Sequence, residues 1–415
     1  MRRWCWLAAL VPAAATTRAL EARGALLYPD GYQYLLMAKG IAAHGRPIVT
    51  LGRGGDTWLP SADASLKPLF PALVALLHLL GLPLRIAAEA LTAAASSAVC
   101  VLVGALVARL TRSSLAALAA GALCVASPSL AHWAAFAGPD PLAQALALGA
   151  ALAFLDRRPA LAGALAGLCV TTRPEYALLV LPLCLLSLRF MTVACAAVAC
   201  VVAAVRPPVT LNTASAVIAG ATPKGITGVL RSDWPVLLLA VAGLVCAPRR
   251  HAAALVATAS GLGAAYMLKD PGSVRYFAAL VPVACVAAGY AVVRKPGPLV
   301  AAAVAALAVV LPREAGPSPD PFLSVAERLR GTTPIYTAAP DAYGLMLARP
   351  VRFLRPGVRG LILLDGAQRA YEPQIDVRGR LLRRISPRVG FVRPDGTLDG
   401  QPIALIRGTA RGRCC

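Results

Sequence analysis

Hydrophobic segments separated by short turns follow one another from the N-terminus to about residue 311. A membrane explains such a series, because each spanning helix needs ~20 mostly apolar residues. The composition agrees, since 58% of the residues are hydrophobic and 14% are charged, whereas soluble domains carry about 25% charged residues. We therefore predict an α-helical polytopic membrane bundle of about 11 spans, within a range of 9–12. The third, fourth and fifth predicted spans cover residues 115–135, 141–155 and 161–171, and the eleventh covers 299–311.

Arginines collect in alternate turns of this series, for example at Arg109, Arg112, Arg157 and Arg158. Such residues mark the cytoplasmic side of short loops. This predicts a multi-pass protein of the bacterial plasma membrane with a cytoplasmic N-terminus and a first outer loop at about residues 21–85. The same alternation places the turn TTRPEY on the outer side. The N-terminal segment also fits a signal peptide, but the many spans behind it favour an uncleaved first helix.

The composition changes at residue 313, which predicts two domains: a transmembrane domain over 1–312 and a small extracytoplasmic α/β domain over 313–415. The second domain contains one helical pattern, SVAERLR. It also contains four short segments bounded by Pro, Gly and Asp that are typical of strands: PIYTA, PVRFL, GLILLD and PIALIRG. This domain either binds an acceptor or caps a site in the membrane domain.

Several classes of protein find no support in the sequence. The net charge of +22 arises from 41 basic and 19 acidic residues, but no basic run is interleaved with aromatic residues, so we expect no nucleic-acid partner. Motifs of zinc proteases, serine hydrolases and P-loop ATPases are missing from the sequence. Nine of the 11 cysteines fall inside apolar segments, where thiols act as small hydrophobes. No metal ligand and no cofactor is predicted from these patterns.

Two carboxylates, Asp30 and Asp140, fall on the predicted outer side at the ends of apolar segments. Charges next to lipid are costly unless they are paired or functional. Each aspartate also has an ordinary explanation, because Asp30 suits the start of a helix and Asp140 suits the turn GPDP.

Three further polar residues share that side: Lys67, Arg275 and Tyr276. Lys67 either snorkels from an interfacial or re-entrant helix over Leu69–Gly81 or presents a point charge to a phosphate. Arg275 either closes a loop salt bridge with Asp270 or binds a phosphate.

The order of these motifs resembles the integral-membrane glycosyltransferases of the C-type fold, which include the protein O-mannosyltransferases and the lipid A aminoarabinose transferase. The resembling stretches are YPDGYQYLLMAKGIAAHGRP with Asp30, LKPLFPALVALLHLLGLP with Lys67, AFAGPDPLAQALALGAALAFL with Asp140, GALAGLCVTTRPEYALLVLPL, and SVRYFAALVPVACVAAGYAV with Arg275 and Tyr276. Members often have Lys-Pro-Pro where this chain has Lys-Pro-Leu. Some members also pair two acidic residues at this point, whereas Asp30 is followed by glycine. A divalent metal stays a possible cofactor, but because of this departure no metal ligand is carried over.

The resemblance implies transfer of a sugar from a polyprenyl-phosphate-linked donor to an acceptor at the outer face, with inversion at the anomeric carbon. In that scheme Asp30 is the general base, Lys67 and Arg275 stabilise the leaving phosphate, Asp140 orients the acceptor or the sugar, and Tyr276 bonds the phosphate. The acceptor, whether lipid, glycan or protein, stays open, and membrane lipids are further partners. The alternatives are a transporter or flippase of lipid-linked sugars, and an assembly subunit with a decayed site. The sequence shows no clear internal repeat and its notable charges lie at one face, which favours the enzyme over a transporter.

Overall fold

The structure is a computed structural model. It describes residues 5–21, 30–47, 49–51, 56–58, 67–134, 136–180, 187–206, 224–269, 274–294, 329, 331, 333–337, 351–364, 375–392 and 398–412.

Most of the described residues form a helical bundle. Its helices are α1 (Cys5–Glu21), α2 (Asp30–His44), α3 (Leu69–Leu79), α4 (Leu84–Thr111), α5 (Ser114–Ala126), α6 (Pro128–Ala134), α7 (Asp140–Leu155), α8 (Pro159–Thr172), α9 (Leu188–Val205), α10 (Lys224–Ser232), α11 (Trp234–Cys246), α12 (Arg249–Lys269), α13 (Val274–Phe277) and α14 (Val281–Arg294). Two 3-10 turns, Pro174–Tyr176 and Ala278–Leu280, precede further helical segments. A short antiparallel hairpin, β1 (Val49–Leu51) and β2 (Asp56–Trp58), follows α2.

Within the described part of the chain, α4 and α9 are by themselves long and apolar enough to cross a membrane. Two bent helix pairs, α5 with α6 and α10 with α11, raise the number to four if each pair is one span. Further apolar helices, including α3, α7 and α8, are shorter. The predicted total of about 11 spans stays a prediction, and the predicted eleventh span at 299–311 lies outside the described residues.

The predicted interfacial segment Leu69–Gly81 forms α3. One side of this helix packs into the protein through Phe70 and Val74, whereas Leu79 and Leu80 on its other side are 66% and 74% exposed. An apolar exposed side of this kind is suited to the interface of a bilayer.

The apolar segment predicted as one span over Leu115–Ala135 is bent by 58° between α5 and α6. At the break, the buried Ser127 hydroxyl donates to the Asp233 carboxylate at 2.5 Å. Arg18 of α1 donates to the carbonyls of Cys124 and Val125 at 2.9 and 3.2 Å. These side chains supply hydrogen bonds where the helix stops, which is how a break is tolerated at membrane depth.

Glycines bring some neighbouring helices into backbone contact. A Cβ atom on Gly163 or Gly167 of α8 would overlap backbone carbonyls of α9 at Phe190 and Ala194, and one on Gly243 of α11 would overlap the carbonyl of Ala287 in α14. Small residues at such crossings are the usual basis of helix packing in membranes.

Near the C-terminus the chain forms a mixed five-stranded sheet of β3 (Ile335–Thr337), β4 (Val351–Phe353), β5 (Arg359–Leu364), β6 (Ile375–Val392) and β7 (Leu398–Gly412). The strand order is β4-β3-β5-β7-β6, with β3 parallel to β4 and β5 and with β7 antiparallel to β5 and β6. The four predicted strand segments are found in β3, β4, β5 and β7. Most of the predicted helix at 324–330 lies outside the described residues, and the division at residue 313 stays a prediction.

The sheet packs on the helices that flank the first predicted loop. Buried residues of the sheet, including Ile335 and Leu363, share one apolar cluster with Tyr34 of α2 and with Phe70 and Val74 of α3. The C-terminal sheet therefore shares its buried apolar residues with α2 and α3.

Candidate active site

A buried arginine, Arg173, lies at the centre of the candidate site. It follows α8, whose last residues Thr171 and Thr172 donate their hydroxyl hydrogen bonds to the carbonyl of Leu168 at 2.9 and 2.8 Å. Because Pro174 comes next, Arg173 takes an extended backbone conformation with φ −147° and ψ 102°. The helix ends there, and the arginine side chain is placed inside the bundle.

Two carboxylates surround this guanidinium group. Asp140, the first residue of α7, forms an ion pair with Nη2 of Arg173, and Oε1 of Glu175 lies 3.6 Å from Nη1. The side chain of Arg173 is 1% exposed, whereas those of Asp140 and Glu175 are 17% and 11% exposed. Burial alone would lower the pKa of Arg173, but the two carboxylates outweigh burial and raise that pKa above its ordinary value. Arg173 therefore stays charged at physiological pH.

An aromatic pair covers the same guanidinium. The Cζ atom of Arg173 lies 5.1 Å from the centroid of the Tyr276 ring, within the range of a cation–π interaction. The Tyr276 ring is stacked on Tyr266 of α12, with centroids 5.5 Å apart and planes at 7°. Helices α12 and α13 thereby join α7 and α8 around one buried charge.

Helices α2 and α3 meet through an aromatic contact. Tyr34 of α2 adds to the rise in the pKa of Arg173, after the two carboxylates and Tyr276. Its ring meets that of Phe70 in α3 edge to face, with centroids 5.8 Å apart. Asp30 lies one helical turn before Tyr34 on α2, and Lys67 lies three residues before Phe70. The backbone of Asp30 is therefore one helical turn from the Tyr34–Phe70 contact, and that of Lys67 is three residues from it.

The predicted site residues differ in how far the structure describes them. Asp140 and Tyr276 are both brought to Arg173. Lys67 is fully buried just before α3, which does not fit a lysine that snorkels to water. Asp30 is the first residue of α2 and Arg275 belongs to α13, but both side chains lie outside the described part of the structure. The predicted roles of all five residues stay predictions.

Sequence reasoning overlooked Arg173 and Glu175 as site residues, although both belong to the quoted TTRPEY turn. A signal was available, because an arginine in a turn assigned to the outer side runs against the usual distribution of positive charge. Asp140 lies at the end of the GPDP turn and begins α7, in keeping with its ordinary explanation as a turn residue, but its carboxylate also neutralises Arg173.

An apolar cavity of about 380 Å³ begins next to this cluster. It lies between α4, α7, α8, α12 and α14, and its lining includes Gln144 and Cys169. Gln144 is one helical turn from Asp140, and Cys169 is one turn from Arg173. The lining continues to Leu155, 11 residues and about 16 Å farther along α7 than Gln144. The cavity is thus an elongated apolar space with a charged cluster at one end.

Among the residues that the structure describes, no three His, Cys, Asp or Glu side chains come together in a way that could hold a metal ion. The three aspartates of the predicted first loop, Asp30, Asp56 and Asp63, have side chains outside that part.

No protein-family model matches the sequence, and no curated protein matches it either. The fold, in contrast, is similar to solved structures. The apo structure of ArnT from Cupriavidus metallidurans is 12% identical with a TM-score of 0.61, and the match covers 96% of this chain and 97% of that one. The structure of the same ArnT bound to undecaprenyl phosphate is 13% identical with a TM-score of 0.59, and the match covers 97% and 98%.

A cryo-EM structure of the arabinofuranosyltransferase AftD from Mycobacteria is 14% identical with a TM-score of 0.54. That match covers 98% of this chain and 40% of the AftD chain, so this chain spans less than half of AftD. ArnT and AftD are both glycosyltransferases of the C-type fold, and the predicted resemblance is confirmed at the level of the fold.

Proposed function

We propose that this protein is an integral-membrane glycosyltransferase that moves a sugar from a polyprenyl-phosphate donor to an acceptor at the membrane surface. The observation that carries the proposal is the elongated apolar cavity that ends one helical turn from Asp140 and Arg173. A polyprenyl phosphate matches this arrangement, because it consists of a long apolar chain with a charged phosphate at one end. The similar fold of ArnT with bound undecaprenyl phosphate supports this class of donor.

In the proposed reaction, Asp30 accepts the proton of the attacking acceptor hydroxyl. The acceptor oxygen forms a bond to the anomeric carbon while the bond from that carbon to the phosphate oxygen breaks. The polyprenyl phosphate leaves with the electron pair, and Lys67 and Arg275 stabilise the negative charge that develops on it. A single displacement of this kind inverts the anomeric centre.

Asp140 and Tyr276 have a more specific proposed role because both contact Arg173. Asp140 neutralises the guanidinium and Tyr276 covers it, so both hold α7, α8 and α13 in place around the sugar. We therefore treat Asp140 as a positioning residue for the sugar or the acceptor. Asp30 remains the proposed base.

The test is a transfer assay with full-length protein in proteoliposomes, undecaprenyl-phosphate-linked radiolabelled sugars and a panel of lipid, glycan and peptide acceptors. Asp30→Asn should abolish transfer because the amide cannot accept the proton. The matched control is Asp156→Asn, which changes an exposed carboxylate paired with Arg109 and should leave transfer unchanged. Protein abundance and thermal stability should be equal in both variants.

Full transfer by Asp30→Asn would remove this aspartate from the chemistry. Movement of the donor across the bilayer by wild-type protein, without transfer to any acceptor of the panel, would instead support the transporter alternative.

A further inference from the structure

The C-terminal sheet turns one of its faces toward the helical bundle. Leu363 of β5 pairs with Leu405 of β7, and directly paired residues on neighbouring strands lie on the same face. Both leucines pack in the apolar cluster that contains Tyr34 and Phe70. This face is therefore the one that is held against α2 and α3.

Farther along the same face, the apolar residues give way to arginines. On β7, Arg407 and Arg411 follow Leu405 at even spacing, so they lie on its face. The register places Arg380 opposite Arg407 and places Arg359 and Arg378 on either side of Thr409. We call this set the arginine face, and its five exposed members are Arg359, Arg378, Arg380, Arg407 and Arg411.

The charges of the arginine face are poorly balanced within the sheet. Arg380 and Arg407 are direct cross-strand partners, and like charges in that position destabilise a sheet. Asp376 is the one acidic side chain described on this face, and its Oδ2 atom lies 3.3 Å from Nε of the exposed Arg378. The arrangement favours an anionic ligand that neutralises several arginines together.

The position of the arginine face relative to α3 indicates where that ligand lies. The face extends from the contact with α2 and α3 for about 20 Å along β7, from Leu405 to Arg411. The opposite side of α3 exposes Leu79 and Leu80, as expected of a helix that lies in a membrane interface. The arginines therefore share the face of the sheet that is turned toward the bundle, and α3, which belongs to the same apolar cluster, has the exposed leucines that suit a membrane interface.

We propose that the arginine face binds the phosphate groups of anionic phospholipids in the leaflet where α3 lies. Arginine binds phosphate through bidentate hydrogen bonds, and basic groups near an anionic membrane surface are attracted to it. This interaction holds the hairpin of β6 and β7 against the membrane beside the candidate site. The proposal is independent of the transfer reaction proposed above.

The test uses full-length protein in nanodiscs of phosphatidylcholine alone or of phosphatidylcholine with phosphatidylglycerol. Hydrogen exchange of the β7 amides reports whether the hairpin is held at the surface. Each arginine should contribute about fivefold to binding. We therefore expect slower exchange in phosphatidylglycerol discs, and R380Q/R407Q should lose most of that difference. The matched control R157Q/R158Q removes two exposed arginines at the turn after α7. It should show the same difference in β7 exchange between the two kinds of disc as the wild-type protein.

The proposal predicts that high salt also removes the difference, because surface charges are screened. Equal exchange in the two kinds of disc would overturn the proposal, as would an equal loss in both double variants. Slower exchange on addition of inorganic phosphate to phosphatidylcholine discs, without any response to phosphatidylglycerol, would overturn the assignment to lipid. Hydrogen exchange across the rest of the sheet should be the same in the variants as in the wild-type protein, which shows that the variants are folded.

Discussion

Replacing Arg173 by glutamine should destabilise the protein far more than other arginine substitutions. The change leaves Asp140 and Glu175 facing each other in a site where the arginine side chain is only 1% exposed. Removing one partner of a buried ion pair costs about 3–5 kcal/mol of unfolding free energy. The lost contact with the Tyr276 ring adds up to about 2 kcal/mol.

An exposed ion pair in the same protein provides a comparison for the buried arginine. Arg109 and Asp156 form an ion pair of 2.8 Å whose side chains are 49% and 42% exposed. Exposed pairs of this type contribute about 0–1 kcal/mol. Arg109→Gln should therefore have little effect on the free energy of unfolding, although it removes the same chemical group as Arg173→Gln.

The measurement is unfolding of full-length protein by SDS in mixed micelles. Asp140→Asn should cost less than Arg173→Gln, because Glu175 still lies 3.6 Å from the guanidinium. The double variant should be more stable than the sum of the two single effects predicts, by about 0.5–3 kcal/mol, since the second change removes an unpaired charge. Strict additivity, or an Arg173→Gln variant as stable as Arg109→Gln, would refute the role assigned to Arg173.

Two further predictions concern packing and the cavity. Gly243→Ala should lower the free energy of unfolding by about 1–3 kcal/mol, because its new methyl group would overlap the Ala287 carbonyl. The methyl group that Gly263→Ala adds would meet no atom within 4 Å, so this change should raise the free energy of unfolding by about 0.5–1 kcal/mol. Thermal unfolding of both variants in detergent tests whether the two changes have opposite effects on stability. Ala147→Phe should narrow the cavity that Ala147 lines. If transfer is confirmed, this variant should use long-chain polyprenyl donors less well than short-chain ones, and an equal loss with both would contradict the assignment of the cavity to the donor chain.

The sequence predicted the bounds of several apolar helices closely. The predicted spans Pro141–Leu155 and Leu161–Thr171 are observed as α7 and α8, each within two residues at either end. This accuracy has a simple cause, because prolines and charged turns interrupt the apolar runs at both ends. The strands that contain Ile335 and Leu361 could be predicted for a similar reason, because Pro, Gly or Asp bounds these short apolar segments.

The bend of 58° between α5 and α6 was missed, although the sequence contains a signal for it. Pro128 lacks a backbone N–H and disfavours a helical conformation of the residue before it, and Ser127 is extended, with φ −64° and ψ 119°. What the sequence did not show is the partner of the Ser127 hydroxyl, because the Asp233 carboxylate lies 106 residues away in the chain. Long-range hydrogen bonds of this kind leave no local pattern.

What the sequence determined by itself is the set of helices, the membrane as their solvent and several polar residues that are candidates for a site. Local hydrophobicity decides these features, since each follows from a short stretch of chain. Only the tertiary structure brought Asp140, Glu175 and Tyr276 onto Arg173, and only the strand register collected five arginines on one face of the sheet. Both depend on contacts between segments far apart in the chain, whose free energy exists only once the elements have packed.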